Sequence, residues 1–209
     1  MLKNLSNWLT GGSKKSRREN RTIISIGVFG EINAGKSDLF HRLNYGKYSG
    51  GISGSAFELY PFYCRTSNKK YLINAILYNN IIIRHSPGNL FALKSAKANI
   101  LVLDLEREDG IVRGEELIKT IKSSVPYYVE VPLIIIGAKA DGELKVARSE
   151  ALDLRDKLGA LAYIETSAKL GINVDEALCI VAACAMKYSV IDDRPFGEIC
   201  RDLGSYITK

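Results

Sequence analysis

The 209-residue chain has only two histidines, four cysteines, and no run of eighteen apolar residues. The missing run excludes a membrane-spanning helix. Cys64, Cys179, Cys184 and Cys200 show no paired short spacing, which argues against a zinc ribbon or a disulfide framework. Two histidines leave little for a histidine-based metal site, and a reducing, cytoplasmic setting is the expectation. Excess charge is also scarce once it is divided. Of the net +6, residues 1–22 carry +5, so the other 187 residues hold only +1. A near-neutral body offers no electrostatic footprint for nucleic acid, and none is expected as a partner. What is present suffices for a core: 46% of residues are apolar and 25% charged, in a length that suits one α/β domain with short arms.

Residues 1–21 read as a basic amphipathic arm. Met1, Leu2, Leu5, Trp8 and Leu9 line one helical stripe that Thr10-Gly11-Gly12 ends, and Lys14, Lys15, Arg17, Arg18 and Arg21 follow. Stripe and cluster together suit an anionic membrane surface, where their contributions add. The same composition also fits a cleaved organelle presequence, or a solvated, frayed arm. Leu2 stands where N-myristoylation would require glycine.

From Thr22 onward strand and helix patterns alternate. The spacing predicts strands over Thr22–Phe29, Ile81–Arg84, Asn99–Leu105, Val131–Ala138 and Tyr163–Thr166. Phe57–Leu77 is strand-like, with a polar break at Ser67-Asn68-Lys69-Lys70. Helices are predicted over Lys36–Leu43, Gly114–Lys122, Val146–Leu158 and Val174–Tyr188. This order implies crossover connections and a mainly parallel sheet covered on both faces. Ligands of such sheets sit at the carboxyl ends of the strands, in the loops that follow.

The loop after the first strand reads Gly30-Glu31-Ile32-Asn33-Ala34-Gly35-Lys36-Ser37, which fits G-x-x-x-x-G-K-[ST] between a strand and a helix. In that motif successive backbone N–H groups and the helix N-terminus wrap the α- and β-phosphates. Lys36 would reach the β- and γ-phosphates, and the Ser37 hydroxyl would ligate Mg²⁺. This is a nucleoside-triphosphate signature. Two later loops bear on the base. Asp141, just past a strand, can accept hydrogen bonds from guanine N1–H and the 2-amino group, donors that adenine lacks. Ser167-Ala168-Lys169 can present a backbone N–H to guanine O6.

With these residues in hand, the chain resembles a small GTPase of the Ras superfamily, closest in pattern to the Rab and Ras branches. The match spans roughly Thr22 to Tyr188 and rests on the phosphate loop, Lys139-x-Asp141, Glu165-Thr166-Ser167-Ala168-Lys169 and Gly171-Ile172-Asn173-Val174-Asp175-Glu176-Ala177. The resemblance implies a three-layer α/β P-loop NTPase G domain over residues 22–188, with a mostly parallel five- to six-stranded sheet flanked by helices. It implies GTP or GDP with Mg²⁺, and contacts to nucleotide from residues 30–38, Asp38 included. Tyr48 falls where the family carries an aromatic against the base. Ser55, or else Ser53, falls where the first switch carries its Mg²⁺-binding threonine. Effectors and exchange proteins would read residues 48–60 and 85–97.

Several positions depart from the family. The second switch should read Asp-x-x-Gly-Gln, and here His85-Ser86-Pro87-Gly88-Asn89 stands. Gly88 keeps a backbone N–H for the γ-phosphate. His85 is a poor substitute for an anion that holds Mg²⁺ through water. Asn89, the residue left to orient an attacking water, is one methylene shorter than glutamine. Ala138 replaces the Asn or Thr that braces the phosphate loop, and Ile32 adds bulk to it. Slow hydrolysis is therefore expected. A pseudo-GTPase that keeps the fold without turnover is the alternative. Residues 189–209 form a tail without a prenylation motif, so the expected peripheral membrane attachment falls to the basic arm.

Overall fold

The computed structural model describes residues 22–51, 57–65, 70–78, 95–124 and 131–188. The strands are β1 (Thr22–Phe29), β2 (Phe57–Arg65), β3 (Lys70–Tyr78), β4 (Ala96–Asp104), β5 (Leu133–Ala138) and β6 (Ala162–Glu165). The helices are α1 (Lys36–Tyr45), α2 (Gly110–Ser124), α3 (Arg148–Leu158) and α4 (Val174–Tyr188). Among the described residues the strands form one six-stranded sheet in the order β2-β3-β1-β4-β5-β6. All neighbours are parallel except β2 and β3, which pair antiparallel from Phe57↔Tyr78 to Arg65↔Lys70.

Period-2 alternation splits the core into two layers. On one face Ile24, Ile26, Val28, Ile100, Val102, Ile134 and Ile136 meet Leu39 and Phe40 of α1 and most of α4. On the other face Phe29, Leu101, Leu103 and Ile135 meet Leu117, Ile118 and Ile121 of α2 and Ala151 and Leu154 of α3. The central strands are β-branched and apolar because both their faces are covered, and each fully buried Ile or Leu contributes about 1.5–3 kcal/mol. Helices on both sides of the sheet make the three-layer α/β architecture that the alternation implies.

β1 and α4 have the predicted bounds. The strand-like stretch Phe57–Leu77 resolves into two nine-residue strands of a hairpin, with Lys70 opening the second strand instead of belonging to the break. α2 begins at Gly110 and not at Gly114. A Cβ on Gly114 would lie 2.5 Å from Leu103 Cδ2, so this glycine is an in-helix point of close approach to the sheet rather than a boundary. The Ile81–Arg84 prediction, the arm and the tail lie outside the described residues. On one side β1 is flanked by β3, which ends at Tyr78, and on the other by β4.

Candidate functional site

β1 delivers its loop to the carboxyl edge of the sheet through residues in uncommon conformations. Gly30 has φ 154°, Asn33 φ 63° and Gly35 φ 93°. A Cβ on Gly30 would lie 2.5 Å from the Val102 carbonyl oxygen, so the loop starts hard against β4 and only glycine fits there. Left-handed residues interspersed with others give the backbone pattern of an anion-binding nest. The Ala34 N–H donates to Glu31 O at 3.2 Å, and Leu39 N to Gly35 O at 3.0 Å, which runs the loop straight into α1. Lys36 is 3% exposed and its ammonium donates to Gly30 O at 2.8 Å and Glu31 O at 2.6 Å. Burial pulls its pKa down to about 8, against the opposing pull of Glu31 and Glu58. Ser37 is buried in the first turn, close enough to the Tyr60 hydroxyl to bear on its ionisation. Tyr60 in turn donates to Glu58 Oε2 at 3.0 Å. Burial and Glu58 push the Tyr60 phenol up to about 12. A serine hydroxyl with a phenol and, beyond it, a carboxylate is a hard-oxygen donor set, which fits Mg²⁺.

The base-side residues cluster at the ends of β5 and β6. Ser167 Oγ donates to Asp141 Oδ1 at 2.5 Å, and Lys169 Nζ lies 3.8 Å from Asp141 Oδ2. The Asp141 side chain is 13% exposed, although the residue as a whole, backbone included, is open to solvent. The two loops lock together. Thr166 N donates to Gly137 O at 2.7 Å, Ala140 N to Thr166 O at 3.0 Å, and Ser167 and Ile172 exchange two bonds of 3.0 Å. Ala168 follows, half-buried. Ala138 is buried, and its Cβ would lie 3.2 Å from a Cβ built on Gly35, so the phosphate loop and the base loop touch.

Other residues singled out in the sequence are placed differently. Asp38 faces the loop after α1, where its Oδ1 accepts from Ser49 Oγ and, at 3.2 Å, from Gly51 N. Tyr48 is 45% exposed, and Ile32 is exposed at the phosphate-loop surface. Lys139 has φ 65° and its ammonium donates to Asp104 Oδ2 at 2.6 Å, with Glu106 at 3.8 Å. Ser53, Ser55, His85, Gly88 and Asn89 lie outside the described residues. Sequence reading missed Asp104, a buried acid closing an apolar strand, and also Glu58 and Tyr60. It missed Arg113 as well, whose guanidinium lies 3.5 Å from Glu31 of the phosphate loop. For Asp104 a signal existed: a single acid directly after Leu101-Val102-Leu103 at a carboxyl strand end. Glu58 and Tyr60 carried none, because no motif spacing links β2 to α1.

The sheet order, the glycine-lysine loop after β1 and the Asp141 cluster define a P-loop nucleotide-binding domain of the GTPase type. The Ras family model matches residues 83–187, and the chain belongs to that family of small, guanine-nucleotide-binding GTPases. It is similar to the Ypt/Rab-type GTPase ypt7 of Schizosaccharomyces pombe, 24% identical over 84% of this chain and 88% of that one. Similarity extends to the Ras-related protein RabL of Dictyostelium discoideum, 24% identical over 83% of this chain and 89% of the relative. The GTP-binding protein RHO1 of Eremothecium gossypii is 36% identical over a shorter stretch, 26% of this chain and 33% of its own.

Proposed function

We propose that the chain is a guanine-nucleotide switch that holds GTP or GDP with Mg²⁺ and hydrolyses GTP slowly. The close approach of Ala138 to Gly35 supports the reading, because it brings the end of β5, where the Asp141 loop starts, against the phosphate loop. Residues 30–37 wrap the phosphates, and Lys36 neutralises their charge. Ser37, with Ser55 or Ser53 of the first switch, ligates the metal. Asp141, oriented by Ser167, reads the guanine edge while Ser167, Ala168 and Lys169 line the O6 side. Lys139, tied to Asp104, holds the base loop in register. Gly88 contributes a backbone N–H, and Tyr48 covers the base when nucleotide fills the site.

Slow turnover follows from His85 and Asn89, since phosphoryl transfer rests almost wholly on positioning and electrostatics. Effectors and exchange factors engage residues 48–60 and 85–97, and residues 1–21 give reversible attachment to an anionic membrane. The names of the Rab-type relatives favour a role in membrane traffic. No helix among the described residues is long and apolar enough to cross a membrane. Chromatography of what the purified, denatured protein releases tests the reading. Near-stoichiometric GDP is expected; GTP would mean binding with no turnover. A pocket still empty after incubation with excess GTP would overturn the switch and leave a pseudo-GTPase scaffold.

A further inference from the structure

The face of β2 that packs on α1 holds a relay that ends beside the phosphate loop. The Tyr60 ring stacks on Phe40 of α1, centroids 6.0 Å apart and planes inclined by 28°. Phe40 is fully buried and sits three residues after Ser37, so the stack fixes the Tyr60 hydroxyl over the first turn of the helix. Asn44 Nδ2 donates to Pro61 O at 3.1 Å and ties the same strand to the same helix one turn further on. Glu58 lies two residues before Tyr60, on the same face of the strand, and accepts the Tyr60 hydroxyl proton at 3.0 Å. Tyr60 therefore bonds Glu58 on one side and lies near Ser37 on the other, near enough for the serine to act on its phenol. The charge of Glu58 also reaches Lys36, whose ammonium it favours.

A Mg²⁺ ion keeps several waters and is held by one or two protein carboxylates or hydroxyls together with the phosphates. In P-loop proteins the loop Ser/Thr supplies the hydroxyl and a strand-end aspartate the carboxylate. The sequence reading puts His85 at the second-switch position, and a neutral or cationic imidazole cannot take the anion's part.

We propose that Glu58, positioned by Tyr60, is the carboxylate that holds the water shell of the Mg²⁺ bound at Ser37, in place of a second-switch acid. Glu58 accepts hydrogen bonds from metal-bound water, and Tyr60 keeps the carboxylate turned toward the helix start. When the metal arrives, the Ser37 hydroxyl turns from Tyr60 to the cation. The task of the missing acid thus passes from the segment after β3 to the edge strand before it. The proposal rests on the guanine-nucleotide reading above.

The test is the release of fluorescent mant-GDP from the full chain, followed over a range of free Mg²⁺ and in excess chelator. Outer partners of a metal site are worth about 10–100-fold in metal affinity, so Glu58→Gln should raise the half-saturating Mg²⁺ by about that factor. Release in chelator should be unmoved. Tyr60→Phe keeps the ring on Phe40 but loses the orienting hydroxyl, and should shift the same midpoint in the same direction by less. It also serves if Glu58→Gln does not fold. Mg²⁺ midpoints unmoved in the folded variants would overturn the assignment while leaving nucleotide binding intact. A wild-type chain that retains no mant-GDP at millimolar Mg²⁺ would overturn both.

Discussion

Asp141 and Lys36 carry opposite ends of the same ligand, and their environments make different demands. Asp141 offers guanine two acceptors from one charged group, each bond contributing about 1.5–3 kcal/mol. Asp141→Asn turns one acceptor into a donor facing a donor, so GDP affinity should fall roughly 10²–10³-fold. The preference for GDP over IDP, which lacks the 2-amino group, should narrow in the same titration. Unchanged affinity would remove Asp141 from the base site. Lys36 has its ligand-free pKa lowered from 10.5 to about 8 by burial. Bound phosphates favour its charged form, so above about pH 8 binding must take up a proton and affinity should fall as pH rises. The ligand-free fold responds with the opposite sign. Between about 8 and 10.5 the unfolded lysine holds more protons than the folded one, so stability rises with pH there. Melting curves with and without GDP at pH 7 and pH 9 should therefore converge as pH rises. At this scale the residues inside motifs were legible, because phosphate and guanine chemistry fixes their spacing. Asp104 left a signal at its strand end, but Glu58 and Tyr60 left none, since an acid or phenol inside a strand acquires meaning only from what folds against it.

Between elements, the loop after β5 leans on the loop after β1 through two small groups, Ala138 and Gly35. A side chain that continued beyond the Ala138 Cβ would reach the phosphate-loop backbone and could hydrogen-bond to it. Ala138→Asn should therefore slow GDP release by about tenfold, the worth of one added buried hydrogen bond. Stopped-flow exchange measures it, and an unchanged rate would mean that this junction does not limit release. The Lys139–Asp104 bond joins the ends of β4 and β5 from the other side. It gives the base loop a tether that does not depend on residue 138. β1 kept its predicted bounds, while β4 opens three residues before the predicted Asn99 and β5 two after the predicted Val131. Other boundaries slipped where one residue has two meanings. Gly114 carries the signature of a helix end but occupies a contact, and Lys70 looks like a loop residue but opens β3. Such choices are made by packing partners distant in sequence.

For the molecule as a whole, α4 is the element that closes one layer. Val181, Ala182, Ala183, Cys184, Ala185 and Met186 have no exposed surface, and small side chains let the helix lie close on the sheet. Ala182→Leu should overpack that layer at a cost of about 1–3 kcal/mol. For a chain of this size each kcal/mol lowers Tm by roughly 2–4 °C, which calorimetry would resolve. An unchanged Tm would mean the layer has slack. The three-layer plan was legible because alternating strand and helix patterns admit few other arrangements. Which helix would be the most deeply buried was not, because periodicity gives the apolar face of a helix and not how closely the sheet accepts it.

The position of α4 in the chain also sets a schedule. A ribosome adds about 5–20 residues per second, and this helix is made after every strand it covers. Until it emerges, the side of the nascent sheet bearing Ile26, Ile100 and Ile136 lacks its cover, and so does Phe40 behind the phosphate loop. Chaperones would meet that bare side first, and nucleotide would find its cradle firm only afterwards.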